Sequence, residues 1–278
     1  MLVRPISSTI RRAAALLVLC LAVLFALPLR AAEVDGLDIH TSVRGEGPTV
    51  IFVHGWTCDE SSWDAQVGDF ARDYKVVTLD LPGHGQTPPP RDGAYSMDLF
   101  ARAVEAVRQE LGEKRVVLVG HSMGAVVIRQ YALDYPGHVA GLVAVDGLLD
   151  VRPYAALEFA ALTPASRVAV IEDMFVPETS EDLRQEIMTM MLMPSLETAL
   201  AVSNTIVDPS IQSDRVIGAP ALTVWAGTRD AALYAGTIEL LPEWESAQLE
   251  RTGHFLMMER PAAFNSLLRA FLETRALY

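Results

Sequence analysis

Short apolar runs alternate along the chain with stretches in which apolar positions recur every three or four residues. Thr49 to Val53 is apolar after its first residue, the pattern of a strand covered on both faces. Lys75 to Leu79, Arg115 to Val119 and Val139 to Val145 repeat it, and Ala221 to Trp225 and Ala247 to Glu250 predict the last two strands. Leu37 to Val43 alternates instead, and ends at the turn residues Arg44-Gly45-Glu46-Gly47-Pro48. Between these runs the spacing turns helical. Ser61 to Tyr74 predicts one helix. Ser96 to Leu111 predicts another, with Leu99, Ala103, Val107 and Leu111 on one face and Gly112 as its stop. Met123 to Tyr135 ends at Pro136, and Pro261 to Ala276 closes the chain with proline in its first turn.

Strands alternating with helices imply a mostly parallel sheet with helices on both faces. Ligands in such sheets bind beyond the carboxyl ends of the strands. Those ends carry His54-Gly55-Trp56, Asp80, Gly120-His121-Ser122, Asp146, Gly227-Thr228-Arg229-Asp230 and Gly253-His254. Residues 148–216 break the alternation. An unstructured loop of roughly 70 residues does not fit a compact domain, so the interval reads as about four helices. Thr163-Pro164, Thr179-Ser180-Glu181-Asp182 and Pro194 are the predicted helix starts. Leaving the sheet at one strand end and returning to the next, this segment forms a cap over the active edge, between core portions 33–147 and 217–278. Five of the ten methionines fall in it. Met174, Met188 and Met191, with Trp56, are candidates to line an adaptable apolar pocket; packing of cap helices on one another accounts for any single methionine equally well.

The first 32 residues have a different composition. Arg4, Arg11 and Arg12 precede an uninterrupted apolar run from Ala13 to Leu27, then Pro28 and Leu29-Arg30-Ala31-Ala32. That is the layout of a secretory signal peptide, and the run is short for a membrane span. It predicts export to the periplasm or medium, with no stable membrane span after removal. The chain carries a net charge of −13, and removal would take four arginines and no acid with it. So acidic a protein repels phosphate backbones, which speaks against a nucleic-acid partner. Removal would also take Cys20, leaving Cys58 without an intramolecular disulfide partner.

Gly120-His121-Ser122-Met123-Gly124 stands between a predicted strand and a predicted helix. A hydroxyl there sits on a tight strand-to-helix turn, above a helix N-terminus, and the flanking glycines let neighbouring backbones approach. A serine needs a base to become a nucleophile. His254, just after the last strand, is the expected base; His54, His84 and His121 belong to turn motifs that explain them locally, and the side chain of His121 is expected to point away. The base needs a carboxylate. Asp230 is the expected acid, from the loop beside the histidine's and in the order Ser122, Asp230, His254; Asp146 is the alternative. The tetrahedral oxygen is expected to meet the N–H groups of Met123 and Trp56.

At these residues the chain closely resembles the α/β-hydrolase family. The resemblance rests on Val50-Ile51-Phe52-Val53-His54-Gly55-Trp56, Asp80-Leu81-Pro82-Gly83-His84-Gly85, Gly120-His121-Ser122-Met123-Gly124, Gly227-Thr228-Arg229-Asp230 and Gly253-His254-Phe255. It covers nearly all of the chain after the signal segment. It implies an eight-stranded, mostly parallel sheet with a helical cap after the family's sixth strand, Val139 to Val145, and carries nucleophile, acid and base over to Ser122, Asp230 and His254. Ser122 argues against the branches that dehalogenate or open epoxides, which use Asp there. Ala125 replaces a glycine, and Thr87 a serine, that many members have. The expected activity is hydrolysis of a small-molecule carboxylic ester of small or medium apolar acyl chain, with no metal and no organic cofactor. Acyl transfer, cofactor-free perhydrolysis, lactone hydrolysis and aminopeptidase activity are the alternatives within the fold, and an inert binding module the alternative outside enzymes.

Overall fold

The computed structural model describes residues 32–156 and 162–275; apart from Ala32, the predicted signal segment lies outside them. Strands β1 (Ala32–Val34) and β2 (Leu37–Ile39) form a separate antiparallel hairpin, turned at Asp35-Gly36 with both residues at positive φ. The main sheet contains β3 (Thr41–Arg44), β4 (Thr49–Val53), β5 (Lys75–Leu79), β6 (Val116–His121), β7 (Val139–Val145), β8 (Ala221–Ala226) and β9 (Trp244–Leu249). Its order is β3-β5-β4-β6-β7-β8-β9, and every pairing is parallel except β3 with β5. The sheet therefore has seven strands among the described residues, not the expected eight. The single alternating run Leu37 to Val43 splits at His40, giving its first half to the hairpin and its second half to the sheet edge.

β4, β6, β7 and β8 are buried at every position, which is why their sequences are continuous rather than alternating. α1 (Asp64–Phe70), α2 (Met97–Glu110) and α3 (Met123–Asp134) return the chain between successive parallel strands. Ser96 caps α2 through the Leu99 N–H, and the helix buries the face read from its periodicity. α2 packs on α3, whereas α1 packs on α9 (Pro261–Thr274), making two helical layers.

The cap holds α4 (Pro164–Glu172), α5 (Glu181–Leu192) and α6 (Leu196–Ile206), with 3₁₀ turns at Arg152–Ala156 and Pro209–Ile211. Thr163 and Ser180 cap the first two helices as predicted, and Ser195 rather than Pro194 caps the third. Two short helices, α7 (Thr237–Leu240) and α8 (Leu256–Glu259), flank β9. Several hydrogen bonds tie cap to core, three of them near the strand-end edge or the adjoining helix. The Trp56 indole donates to Ala199 O at 2.8 Å, Arg129 donates to Ile211 O and Ser213 O, and Met174 O accepts from His254 N–H at 2.9 Å.

Gly147, just past β7, is packed against the start of α3. A Cβ there would stand 2.6 Å from both Ala125 Cβ and Ser122 O. The Ala125 side chain and the Ser122 carbonyl thus leave no room at 147. Gly147→Ala is expected to cost about 1–3 kcal/mol by overpacking, read as a lower urea midpoint at unchanged m-value.

Candidate active site

Ser122 lies between β6 and α3 with φ 52 and ψ −115. This left-handed conformation is strained for a residue with a Cβ. The surroundings enforce it: a Cβ at Gly120 would fall 2.3 Å from Gly124 O, and one at Gly124 would fall 2.4 Å from Val53 O. The strand-to-helix turn predicted from Gly120-x-Ser122-x-Gly124 is therefore present. Ser122 N–H donates to Val145 O at 2.9 Å, so the turn is tied to the end of the neighbouring strand.

The residue after that acceptor is Asp146. Its own N–H donates to Val224 O at 2.8 Å, and it too has a positive φ, 45°. Its carboxylate is fully enclosed. Oδ1 accepts from Ala226 N–H at 2.9 Å, and Oδ2 lies 2.5 Å from His254 Nδ1. Arg229 completes the group, with Nε 3.0 Å and Nη2 2.9 Å from the same Oδ2, and Nη2 3.0 Å from His254 Nδ1. Burial opposes ionisation of Asp146, but the hydrogen bond and charge of His254, then the charge of Arg229, prevail and hold the carboxyl well below the usual carboxylate range.

Asp230, expected as the partner of His254, is not that partner. It is exposed, and its Oδ1 caps the 3₁₀ turn Ala231–Tyr234 by accepting from Ala232 N–H at 2.9 Å. The reason is its distance along the chain from the sheet. Asp146 directly follows β7, beside the Ser122 turn, whereas β8 ends at Ala226 and the intervening loop brings Arg229 to the edge before Asp230 is reached.

His254 is buried, with its backbone N–H held by Met174 O and its carbonyl by His121 Nε2 at 2.9 Å. Its ring centroid lies 4.7 Å from that of His121. So His121, expected to point away, instead packs against the His254 ring and bonds its carbonyl. Among the described residues no hydrogen bond joins Ser122 Oγ to His254 Nε2; such contacts are often long without substrate. Trp56 and Met123, expected as the oxyanion donors, both belong to segments that adjoin the Ser122 turn. The loop bearing Trp56 passes beside the turn, since a Cβ on Gly55 would come 3.3 Å from Ser122 Cβ. Met123 opens α3, where a first-turn N–H has no helical acceptor. Of the methionines proposed for the pocket, Met174 reaches the site through its carbonyl. Met191 is enclosed in the main core, and Met188 packs half-buried against it. Among the described residues no cluster of three or more His, Cys, Asp or Glu is arranged to hold a metal ion.

The remaining strand-end histidines have structural partners. His54 Nε2 accepts from Leu81 N–H at 2.9 Å, so its proton is on Nδ1, which donates to Gly55 O. Burial pushes His84 and His121 down to about 3. Both are neutral when folded and free to charge when unfolded, so the stability they contribute is complete above the ordinary imidazole value near 6.5 and is lost as pH falls from there toward 3. Unfolding at pH 5 should therefore take up protons. Each of the two should reduce stability by about 2 kcal/mol relative to pH 7 or above, measurable as a falling urea midpoint.

Residues 48–235 match the family model described as the alpha/beta hydrolase fold. A dihydrolipoyllysine-residue acetyltransferase component of the acetoin cleaving system of Cupriavidus necator is 30% identical over 269 residues, covering 87% of this chain and 68% of its own. A bifunctional esterase/perhydrolase of Acinetobacter calcoaceticus is 38% identical over 105 residues, covering 37% of this chain and 38% of its own. The solved structure of an N-acyl homoserine lactone degrading enzyme matches with a TM-score of 0.73 and 26% identity, covering 87% of this chain and 100% of that one. With its strand order, its strained serine turn and this match over most of its length, the chain belongs to the α/β-hydrolase family.

Proposed function

We propose that the protein is an exported serine hydrolase that cleaves carboxylic esters through an acyl-enzyme, with Ser122 as nucleophile, His254 as base and Asp146 as acid. The observation that carries this reading is the 2.5 Å contact between His254 Nδ1 and Asp146 Oδ2, one hydrogen-bonded strand end away from the Ser122 turn. A carboxylate on Nδ1 fixes that proton and leaves Nε2 with its lone pair, the form a general base needs.

In this mechanism Ser122 Oγ bonds to the acyl carbon while its proton passes to His254 Nε2. The carbonyl oxygen takes the negative charge and meets Trp56 N–H and Met123 N–H. Collapse breaks the bond to the alkoxy oxygen, which leaves as alcohol with the proton from Nε2. Water then adds to the acyl carbon, His254 taking its proton. A second collapse releases the acid and returns the proton to Ser122. Asp146 stays ionised throughout and stabilises the imidazolium. The relative whose name joins esterase and perhydrolase supports an acyl-enzyme reading. The structural match to a lactone-degrading enzyme makes lactones the second substrate class, since opening a cyclic ester uses the same steps. Export rests on the basic, then apolar, N-terminal segment.

The test is fluorophosphonate labelling together with rates on esters and lactones of graded acyl length. Ser122→Ala is expected to abolish labelling and lower kcat by about 10⁴–10⁶, by analogy with other triads. A folded variant that keeps its rate removes Ser122 from the mechanism. Asp146→Asn should lower kcat by about 10⁴, as when the orienting carboxylate of such a triad is neutralised. Asp230→Asn should stay within about twofold, in keeping with a surface position. The reverse ranking of the two would return the acid to Asp230.

A further inference from the structure

Asp146 Oδ2 serves two cationic or potentially cationic partners at once. It receives His254 Nδ1–H, and it receives Nε–H and Nη2–H of Arg229. Nη2 also stands 3.0 Å from Nδ1 itself. Nδ1 cannot both donate to Asp146 and accept from Arg229. The shorter, charge-assisted contact to the carboxylate decides for donation. Arg229 then faces a ring that becomes a cation each time it takes the serine's proton. A fixed positive charge at that distance opposes the second charge, both directly and by neutralising the carboxylate that would stabilise it.

We propose that Arg229 is a positioning residue that sets the basicity of the His254–Asp146 pair, and with it the pH at which Ser122 becomes reactive. This inference rests on the reading of Ser122, His254 and Asp146 given above. The Proposed function needs only the pair; Arg229 adds a counterweight to it.

Other ionisable groups face the pair from each neighbouring element. His121, from the end of β6, is neutral because burial pushes it down to about 3. Tyr154, from the turn after β7, is pushed up to about 12 by burial, and Tyr234, from the turn after β8, is raised by burial too. Both are uncharged at neutral pH. Glu259 in α8 accepts from Gly253 N–H at 2.7 Å, and burial raises its carboxyl. Arg229 is thus the one cation in direct contact with the pair among the described residues. Its side chain is 40% exposed. Water screens part of its charge, so the expected movement of the pH profile is small rather than large.

The experiment is the pH profile of fluorophosphonate labelling, and of kcat/KM on the best ester, for wild type, Arg229→Met and Arg229→Lys. In Arg229→Met the rising acid limb should move to higher pH by about one unit, with the alkaline plateau kept within a few-fold. Arg229→Lys keeps the charge without the fork and should move the limb by less. An unmoved limb, a shift to lower pH, or a lost plateau with the limb in place would overturn the proposal, the last because it marks a merely structural role. Should Arg229→Met fail to fold, Arg229→Gln carries the same expectation. Wild-type protein that takes no label would instead refute the serine mechanism, so the two failures are distinguishable.

Discussion

The geometry of the site depends on backbone hydrogen bonds at the ends of three adjacent parallel strands. Ser122 N–H reaches Val145 O, Asp146 N–H reaches Val224 O, and Ala226 N–H reaches the Asp146 carboxylate. Each strand end is therefore referenced to the next. The Ser122 turn and Asp146 are held by the sheet itself, not by flexible loops, and both residues adopt positive φ to meet that demand. Strain of this kind persists only where the surroundings over-determine it. Here they do, through close-packed glycines at 120, 124 and 147.

Burial divides the polar groups of this edge into two classes. His54, His84 and His121 are enclosed and uncharged, each bonded to a backbone group. They shape the edge without competing for the proton. Asp146 is enclosed and charged, which is tolerable only because an amide, an imidazole and a guanidinium all converge on it.

The strands, the helices and the serine turn are legible from periodicity because burial of whole strands and of single helix faces leaves regular marks in sequence. Which carboxylate meets His254 is not legible in that way. Chain order does not discriminate, since Asp146 also lies between Ser122 and His254. What separates the two aspartates is position relative to the sheet: Asp146 abuts a strand that ends in backbone bonds, and Asp230 precedes a helical turn, the setting of a capping residue. The Asp-Ala-Ala start of that turn is the signal that favours capping. The strand count also escapes the pattern, because one alternating run serves two different partners. Arg229 and His121 leave no periodic mark at all; their roles come from contacts between residues distant in sequence.

The carbonyl of Met174 bonds the backbone of His254, and a Cβ on the adjacent Gly253 would come within 2.4 Å of that same carbonyl. The cap is thereby fixed to the loop that carries His254 through a backbone contact, not through side chains alone. Replacing the cap by recombination would succeed only where the donor segment supplies an acceptor at this one point.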